Sequence, residues 1–399
     1  MEYTLIETDS QLPELIQAME AADLVGMDTE FVAEDCYKPD LCLIQVSTRE
    51  HVYMVDPKAV EDISEVWRLL VDPSKTVVVH AGREEILFAY RATGKPMAGL
   101  FDVQLALGML GGEYPASYGK LLQRILGEAV PKGETRTDWR KRPLTKAQLK
   151  YAALDVYYLP DLYDELTRQL DERDRQGWID DETNRRQSAL LEIEEQESWH
   201  RMSGLQSLNP QQLAIVRRLW QWRDSRARSK NMPARRVLRD DLIVELAKRG
   251  WTDASKIANI RGLHHGGLQR FLPEIADCVA DGLEADPPKV PWGNRNKRSR
   301  PPALLQQFMT AALAYLCRTH SIAPQIVGTS DDVGKLVSYW SHRSTLPEEH
   351  EDYPALLKGW RSELVAEPLF DIFSGRRALR VQDPRDDMPL SLCEVKPEE

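Results

Sequence analysis

The sequence predicts an α/β N-terminal domain, a mixed sheet flanked by helices, followed by two all-α helical modules. Three observations carry that expectation. The 399 residues exceed what one hydrophobic core usually organises, so two or three domains are expected. The early runs that read as strands fall between residues 24 and 80, where an opening meander gives way to strand–helix alternation. From residue 101 onward apolar residues recur at helical spacing, broken by loops and by one Pro-rich stretch.

Residues 11–21 read as a short helix that leads into the strand Leu24-Val25-Gly26-Met27-Asp28-Thr29-Glu30-Phe31. Residues 41–47 and 51–56 are β-rich and separated by Thr-Arg-Glu, the spacing of a tight hairpin. Residues 60–71 are helical by period, and 75–80 form a short apolar run typical of a strand buried on both faces. Ala81-Gly82 ends that strand and Arg83 begins a helix. Residues 101–110 and 117–126 read as amphipathic helices, 134–144 as an Arg-rich loop, and 145–170 as one long helix with Thr145 as its N-cap.

Residues 172–200 read as the helical end of the first domain, placed at 1–200, or as a linker. A second unit, 205–285, consists of short helices separated by Pro233, Gly250 and Gly262. Residues 286–302 are Pro-rich and basic and read as a linker. A third unit, 303–375, is helical at 303–320 and 331–340. The polar, Pro-containing tail 376–399 is expected to be poorly ordered.

No run of 18 apolar residues exists and the N-terminus lacks the basic and apolar regions of a signal peptide, so the expected location is cytoplasmic, with no membrane contact. Five scattered cysteines without close pairs read as reduced structural thiols. The net charge of −11 argues against binding nucleic acid with the whole surface. Residues 217–249 nevertheless concentrate arginine and lysine, and local charge is what meets a phosphate chain.

The chemistry centres on Asp28 and Glu30. Side chains alternate along a strand, so both point to one face and Thr29 to the other. Two carboxylates at the end of a buried strand repel each other and resist desolvation unless a cation or a shared proton lies between them. Alone, Asp-x-Glu reads more readily as a solvated strand end than as half of a metal site. Glu84 and Glu85 lie in the first turn of the helix after residues 75–80. Acids there complement the helix dipole, but the C-terminal end of a central strand is also where open α/β sheets place their sites. Tyr151 and Asp155, four apart, share a helix face. Hard oxygen ligands without a Cys or His cluster favour Mg²⁺ or Mn²⁺ over zinc. Arg136, Arg140 and Arg142 with Trp139 suit backbone contact and stacking on a single strand, although Trp139 reads better as a core residue.

Six ordered strings now combine: Met27-Asp28-Thr29-Glu30-Phe31, Leu43-Ile44-Gln45, His80-Ala81-Gly82, Phe101-Asp102-Val103-Gln104, residues 137–145, and Tyr151-Ala152-Ala153-Leu154-Asp155. Over about residues 1–170 the chain resembles the DEDD exonucleases, tyrosine branch, and within them the ribonuclease D family. Gln211-Gln212-Leu213, Trp222-Arg223, Pro233, Leu242-Ile243 and residues 260–263 resemble an HRDC domain. Ala323-Pro324, Gly328-Thr329 and residues 357–361 resemble the family's second, more divergent helical module.

The resemblance implies a ribonuclease H-like nuclease domain that uses two divalent ions, Mg²⁺ or Mn²⁺, for 3′→5′ hydrolysis of RNA to nucleoside 5′-monophosphates. Its substrates would be single-stranded 3′ ends of tRNA precursors or other stable RNA, with no obligate protein partner. Asp28 would bridge both metals, Glu30 and Asp155 hold the first, Glu85 support the second, and Tyr151 orient the attacking water. Arg136, Arg140, Arg142, Arg217, Arg223, Arg235 and Arg236 would contact RNA, and the two modules could close a ring or funnel around it. One residue departs from the family pattern: the third acid is Glu85 where the family has Asp. Two alternatives follow, a homologue that grips RNA but cuts weakly and an exonuclease that prefers DNA.

Overall fold

The computed structural model describes residues 2–130, 137–263, 266–289 and 301–395. The N-terminal region alternates β1 (Tyr3–Ile6), α1 (Leu12–Ala21), β2 (Leu24–Val32), β3 (Asp40–Ser47), β4 (Val52–Val55), α2 (Ser64–Leu70), β5 (Thr76–Val79), α3 (Arg83–Thr93), β6 (Leu100–Asp102) and α4 (Val103–Met109). The six strands form one sheet in the order β1-β4-β3-β2-β5-β6. β2 pairs antiparallel with β3 and parallel with β5, so the sheet is mixed and the strand bearing Asp28 and Glu30 lies near its middle.

Helices α5 (Tyr118–Ile125), α6 (Lys146–Tyr157), α7 (Leu159–Asp171) and α8 (Gln176–Glu195) complete this region. Alternation along β2 divides its core. Leu24 packs with Val78, Phe101, Val156 and Leu159, whereas Val25 and Met27 pack with Val77, Val79, Ile86 and Phe88 on the other side. Asp28 and Glu30 therefore share the face covered by α6 and α7, and Thr29 shares the face of α3.

Three elements differ from the sequence expectation. Residues 100–102 are a strand before the helix, because Asp102 caps α4 by accepting from Gln104 and Leu105 backbone amides. The helix expected over 145–170 is two helices. Pro160 cannot donate to the Val156 carbonyl four residues earlier, and Ser47 Oγ takes that carbonyl instead at 2.7 Å. Residues expected to form a poorly ordered tail pair as the antiparallel hairpin β7 (Arg377–Val381) and β8 (Leu390–Glu394).

The middle of the chain is all helical: α9 (Pro210–Ser229), α10 (Ala234–Val237), α11 (Asp240–Arg249), α12 (Ala254–Ile257) and α13 (Leu272–Glu284). Its own core gathers Leu213, Val216, Leu219, Ile243, Leu246, Ile275 and Val279. Polar contacts seat it against the loop after β2: Tyr37 Oη donates to Asp224 at 2.7 Å and the Tyr37 backbone amide to Asn231 at 3.2 Å. Most of the linker expected at 286–302 lies outside the described residues.

The last unit comprises α14 (Ala303–Thr319), α15 (Pro324–Val327), α16 (Ser330–Ser341), α17 (Gly359–Arg361) and α18 (Glu367–Phe373). It does not have a separate core. Leu313, Ile322, Ile326 and Trp360 belong to the same buried cluster as Leu107, Met109, Leu166 and Ile179. Trp178 stacks on Trp360 with centroids 5.2 Å apart, and Ala323 donates its backbone amide to Gly108 at 2.8 Å. Glu182, wholly buried, is gripped by Arg361 at 2.7 Å and by Arg185 and Arg186 at 2.6 Å. Burial opposes its charge, yet the three guanidinium groups hold its carboxyl at about 2. Among the described residues no helix is long and apolar enough to cross a membrane.

Candidate active site

The site is built at the C-terminal half of β2. Asp28 lies opposite Gln45 on β3 and Glu30 opposite Leu43, and a register shift follows between Glu30 and Phe31. That irregularity ends the regular pairing just beyond the second acid, leaving both side chains partly open at the sheet's margin. α6 lies across the same face. It starts where Thr145 and Gln148 cap each other reciprocally, and it carries Tyr151 and Asp155 one turn apart. α3 brings Glu85 from the end of β5, and this residue is 5% exposed.

The structure brings Asp28, Glu30, Glu85, Tyr151 and Asp155 together. Burial raises the Asp28 carboxyl well above its ordinary value, and the charges of Glu85, Asp155 and Glu30 raise it further. Burial with the charges of Asp155 and Glu85 pushes Glu30 up to about 8. Burial puts Asp155 at about 7 although its hydrogen bonding with Tyr151 favours the ionised form. Burial and the Asp155 carboxylate raise the Tyr151 phenol, so it keeps its proton and can donate. Burial raises Glu85 to about 7 even though the Thr29 hydroxyl, which donates to it at 2.5 Å, works in the opposite direction.

This concentration of hard, mutually repelling oxygen donors is the chemistry that suits a divalent cation. The carboxylates converge without meeting at one coordinating point: among the described residues no three acid, imidazole or thiol groups surround a metal-sized position. Gln45, directly opposite Asp28, is fully buried, and neither atom of its amide has a hydrogen-bond partner. Buried polar groups are seldom left unpaired, and this one lies beside Asp28 across the β2–β3 ladder. Its signal in the sequence was a lone polar residue in the apolar run 41–46.

The basic residues divide. Arg136 lies outside the described residues. Arg140 is at the surface but paired with Asp35 at 2.9 Å and Asp138 at 3.0 Å. Arg142 is exposed but already engaged, donating to Asp56 at 2.7 Å and to the carbonyls of Cys42 and Trp139 at 2.8 and 2.7 Å. Trp139 is buried beside Tyr151, with ring centroids 6.3 Å apart. Arg223 is also internal, bonded to the Leu238 carbonyl at 3.0 Å and ion-paired with Asp240. Arg217 pairs with Glu197 at 2.6 Å at the surface, while Arg235 and Arg236 are exposed. Arg223 therefore braces the scaffold instead of facing solvent, whereas Arg142 is held by these acceptors with its surface still open to water.

The profile of a 3′-5′ exonuclease family matches residues 3–171, and that of the HRDC domain matches residues 212–279. The chain is 31% identical to ribonuclease D of Acidiphilium cryptum over 96% of both chains, and 29% identical to ribonuclease D of Bartonella henselae over 93% of this chain and 90% of that one. Its fold superimposes on the crystal structure of Escherichia coli RNase D, described as an exoribonuclease involved in structured RNA processing. The TM-score is 0.79 at 26% identity, covering 94% of this chain and 99% of the other. Fold and site thus define a 3′→5′ exonuclease, a hydrolase of a class that works with divalent metal ions. The chain belongs to the ribonuclease D family, and its activity is that of a 3′→5′ exoribonuclease.

Proposed function

We propose that the chain hydrolyses single-stranded RNA 3′ ends by a two-metal mechanism, releasing nucleoside 5′-monophosphates, with tRNA precursors and other stable RNAs as substrates. The observation that carries this is the convergence of four carboxylates and one tyrosine, each with its proton affinity raised by burial. Asp28, Glu30 and Asp155 would hold the cations, with Glu85 contributing from the α3 side. Divalent cations bound there, Mg²⁺ or Mn²⁺, supply an activated water and neutralise the charge that builds on the phosphate. Tyr151, protonated and beside Asp155, orients the attacking water through its hydroxyl.

The domain reading is a nuclease unit at 1–200, an HRDC unit at 205–285 and a second HRDC-like unit at 303–375. Exposed Arg235 and Arg236 are the first choice for RNA backbone contact. Arg140 and Arg217 could join them by exchanging their surface ion pairs for phosphate.

The test is digestion of a 5′-labelled RNA with a single-stranded 3′ extension, in Mg²⁺ or Mn²⁺, beside a DNA strand of matched sequence. The expected result is a ladder of stepwise shortening on RNA that disappears in Asp28→Ala. No shortening by the wild-type chain in either metal would overturn the proposal.

A further inference from the structure

Two of the short strings that mark this chain, His80-Ala81-Gly82 and Phe101-Asp102-Val103-Gln104, take no part in the chemistry of the acids, yet the fold joins them beside the site. β5 and β6 are parallel neighbours, with Val78 opposite Phe101 and Val79 opposite Asp102. Both strands end at the same level and run into helices. α3, which follows β5, carries Glu85 in its first turn.

The connection from β5 to α3 is tight. Ala81 takes the left-handed conformation at φ 56°, which is costly for any residue with a Cβ. Gly82, at φ −72° and ψ 47°, forms an inverse γ-turn closed by the Arg83 amide, which donates to the Ala81 carbonyl at 2.7 Å. A Cβ on Gly82 would lie 2.4 Å from Val79 Cγ2, so the turn is folded back onto its own strand. The Gly82 carbonyl then accepts the Ile86 amide at 3.2 Å.

Asp102 holds this turn from the neighbouring strand. Its Oδ1 accepts the Ala81 amide at 3.1 Å as well as the Gln104 and Leu105 amides at 2.9 and 3.4 Å. One carboxylate oxygen thus ties the left-handed residue to the start of α4. The Ala116 carbonyl links the same two strings again, accepting from Gln104 Nε2 at 2.8 Å and from His80 Nε2 at 3.1 Å. A left-handed alanine persists only where its surroundings over-determine it, and here they do so four residues before Glu85.

We propose that Asp102 is a positioning residue for Glu85. By pinning the Ala81 amide it fixes the point from which α3 leaves the sheet, and with it the reach of the Glu85 carboxylate, which meets the Thr29 hydroxyl at 2.5 Å. The inference rests on the reading of Glu85 as a member of the active site. Misplacing a catalytic group by about 1 Å can cost roughly 100-fold in rate.

The full-length chain would be compared with Asp102→Ser, Asp102→Asn, Asp102→Ser combined with Ala81→Gly, and Glu85→Gln. Serine still caps α4 but its shorter side chain withdraws the acceptor from Ala81, whereas asparagine keeps that acceptor. The expected result for Asp102→Ser is a kcat on labelled RNA roughly 10–100-fold below wild type, with KM within about twofold. Amide hydrogen exchange over residues 80–86 of the metal-free chain should quicken in the same variant. Asp102→Asn should restore both readouts. Adding Ala81→Gly to Asp102→Ser should return most of the lost rate, because glycine adopts the left-handed conformation without a partner.

An Asp102→Ser chain in which either kcat or exchange stays within about twofold of wild type would overturn the inference, as would one that fails to fold. So would Asp102→Asn as slow as Asp102→Ser, or a loss that Ala81→Gly leaves unchanged. Glu85→Gln at the wild-type rate would overturn the reading of Glu85 and this inference together. A slow Glu85→Gln beside an undiminished Asp102→Ser would overturn this inference alone.

Discussion

The Thr29 hydroxyl donates to the Glu85 carboxylate across 2.5 Å, from the face of β2 opposite to Asp28 and Glu30. The longer third acid is therefore tethered from the α3 side of the sheet while its charge still acts on Asp28 and Glu30, and the tether favours its ionised form although the carboxyl stands at about 7. Thr29→Val removes the donor and raises Glu85 further. In the pH–rate profile the acid limb should move upward by roughly half to one unit. An unmoved limb would show that protonation of Glu85 does not control the rate.

The acid cluster also sets how the metal-free fold responds to pH. Glu30 at about 8 and Asp155 at about 7 both lie above their ordinary values, so the folded chain binds protons that the unfolded chain has released. Stability is greatest below the ordinary carboxylate pKa and falls as pH rises through the folded values. Urea melts without metal should show a loss of roughly 2–4 kcal/mol between about pH 5 and about pH 8. Saturating Mg²⁺ should reverse the trend, adding about 2.7 kcal/mol at a hundredfold excess over Kd. Melts that ignore pH would mean that the acids do not share one unfavourable environment.

Two arginine classes should separate cleanly. Arg223→Ala leaves Asp240 without its partner and the Leu238 carbonyl without its donor, and should lower stability by roughly 2–4 kcal/mol. Replacing the exposed Arg235 and Arg236 together with Ala should leave Tm alone and weaken RNA binding. The logarithmic salt slope should fall by about 1.4 for two lost phosphate contacts on a single strand. An unchanged slope would remove these two residues from the RNA path.

Arg361 joins the last helical unit to Glu182, whose carboxylate is inaccessible to water. Arg361→Met withdraws one of three compensating cations from a buried charge and should cost roughly 3–5 kcal/mol. The double variant Arg361→Met with Glu182→Leu removes the charge as well and should recover part of that loss. Equal melting of both variants would mean that the pair is not coupled.

The sheet and the acid cluster were legible because both rest on period-two alternation: Asp28 and Glu30 had to share a face, and residues 41–47 and 51–56 had to pair. The inward arginines were harder to see, since an Arg-rich stretch looks the same whether its members face water or core. Arg223 carried a clue, lying four residues from Leu219 and four from Ala227, both buried on α9. The strand at 100–102 was too short for any periodicity to show. At 377–394 a polar composition concealed the alternation Arg-Ala-Leu-Arg-Val against Leu-Ser-Leu-Cys-Glu. Long-range relations such as Thr29 with Glu85, or Gln45 beside Asp28, depend on register and helix placement that no local pattern encodes.

The two helical units meet the nuclease on unlike terms, and this bears on how such a chain can be reshuffled over generations. Around Tyr37 the middle unit touches by a few exchangeable polar side chains, so a splice there inherits little obligation. At Gly108 a single added methyl carbon would lie 2.3 Å from Ile326 Cδ1, and the neighbouring oily surfaces are continuous. A chain that lost the last unit would be left with an exposed apolar surface on its nuclease domain. Removing the middle unit would thus uncover mainly polar side chains around Tyr37, whereas removing the last one would open the core it shares with the nuclease.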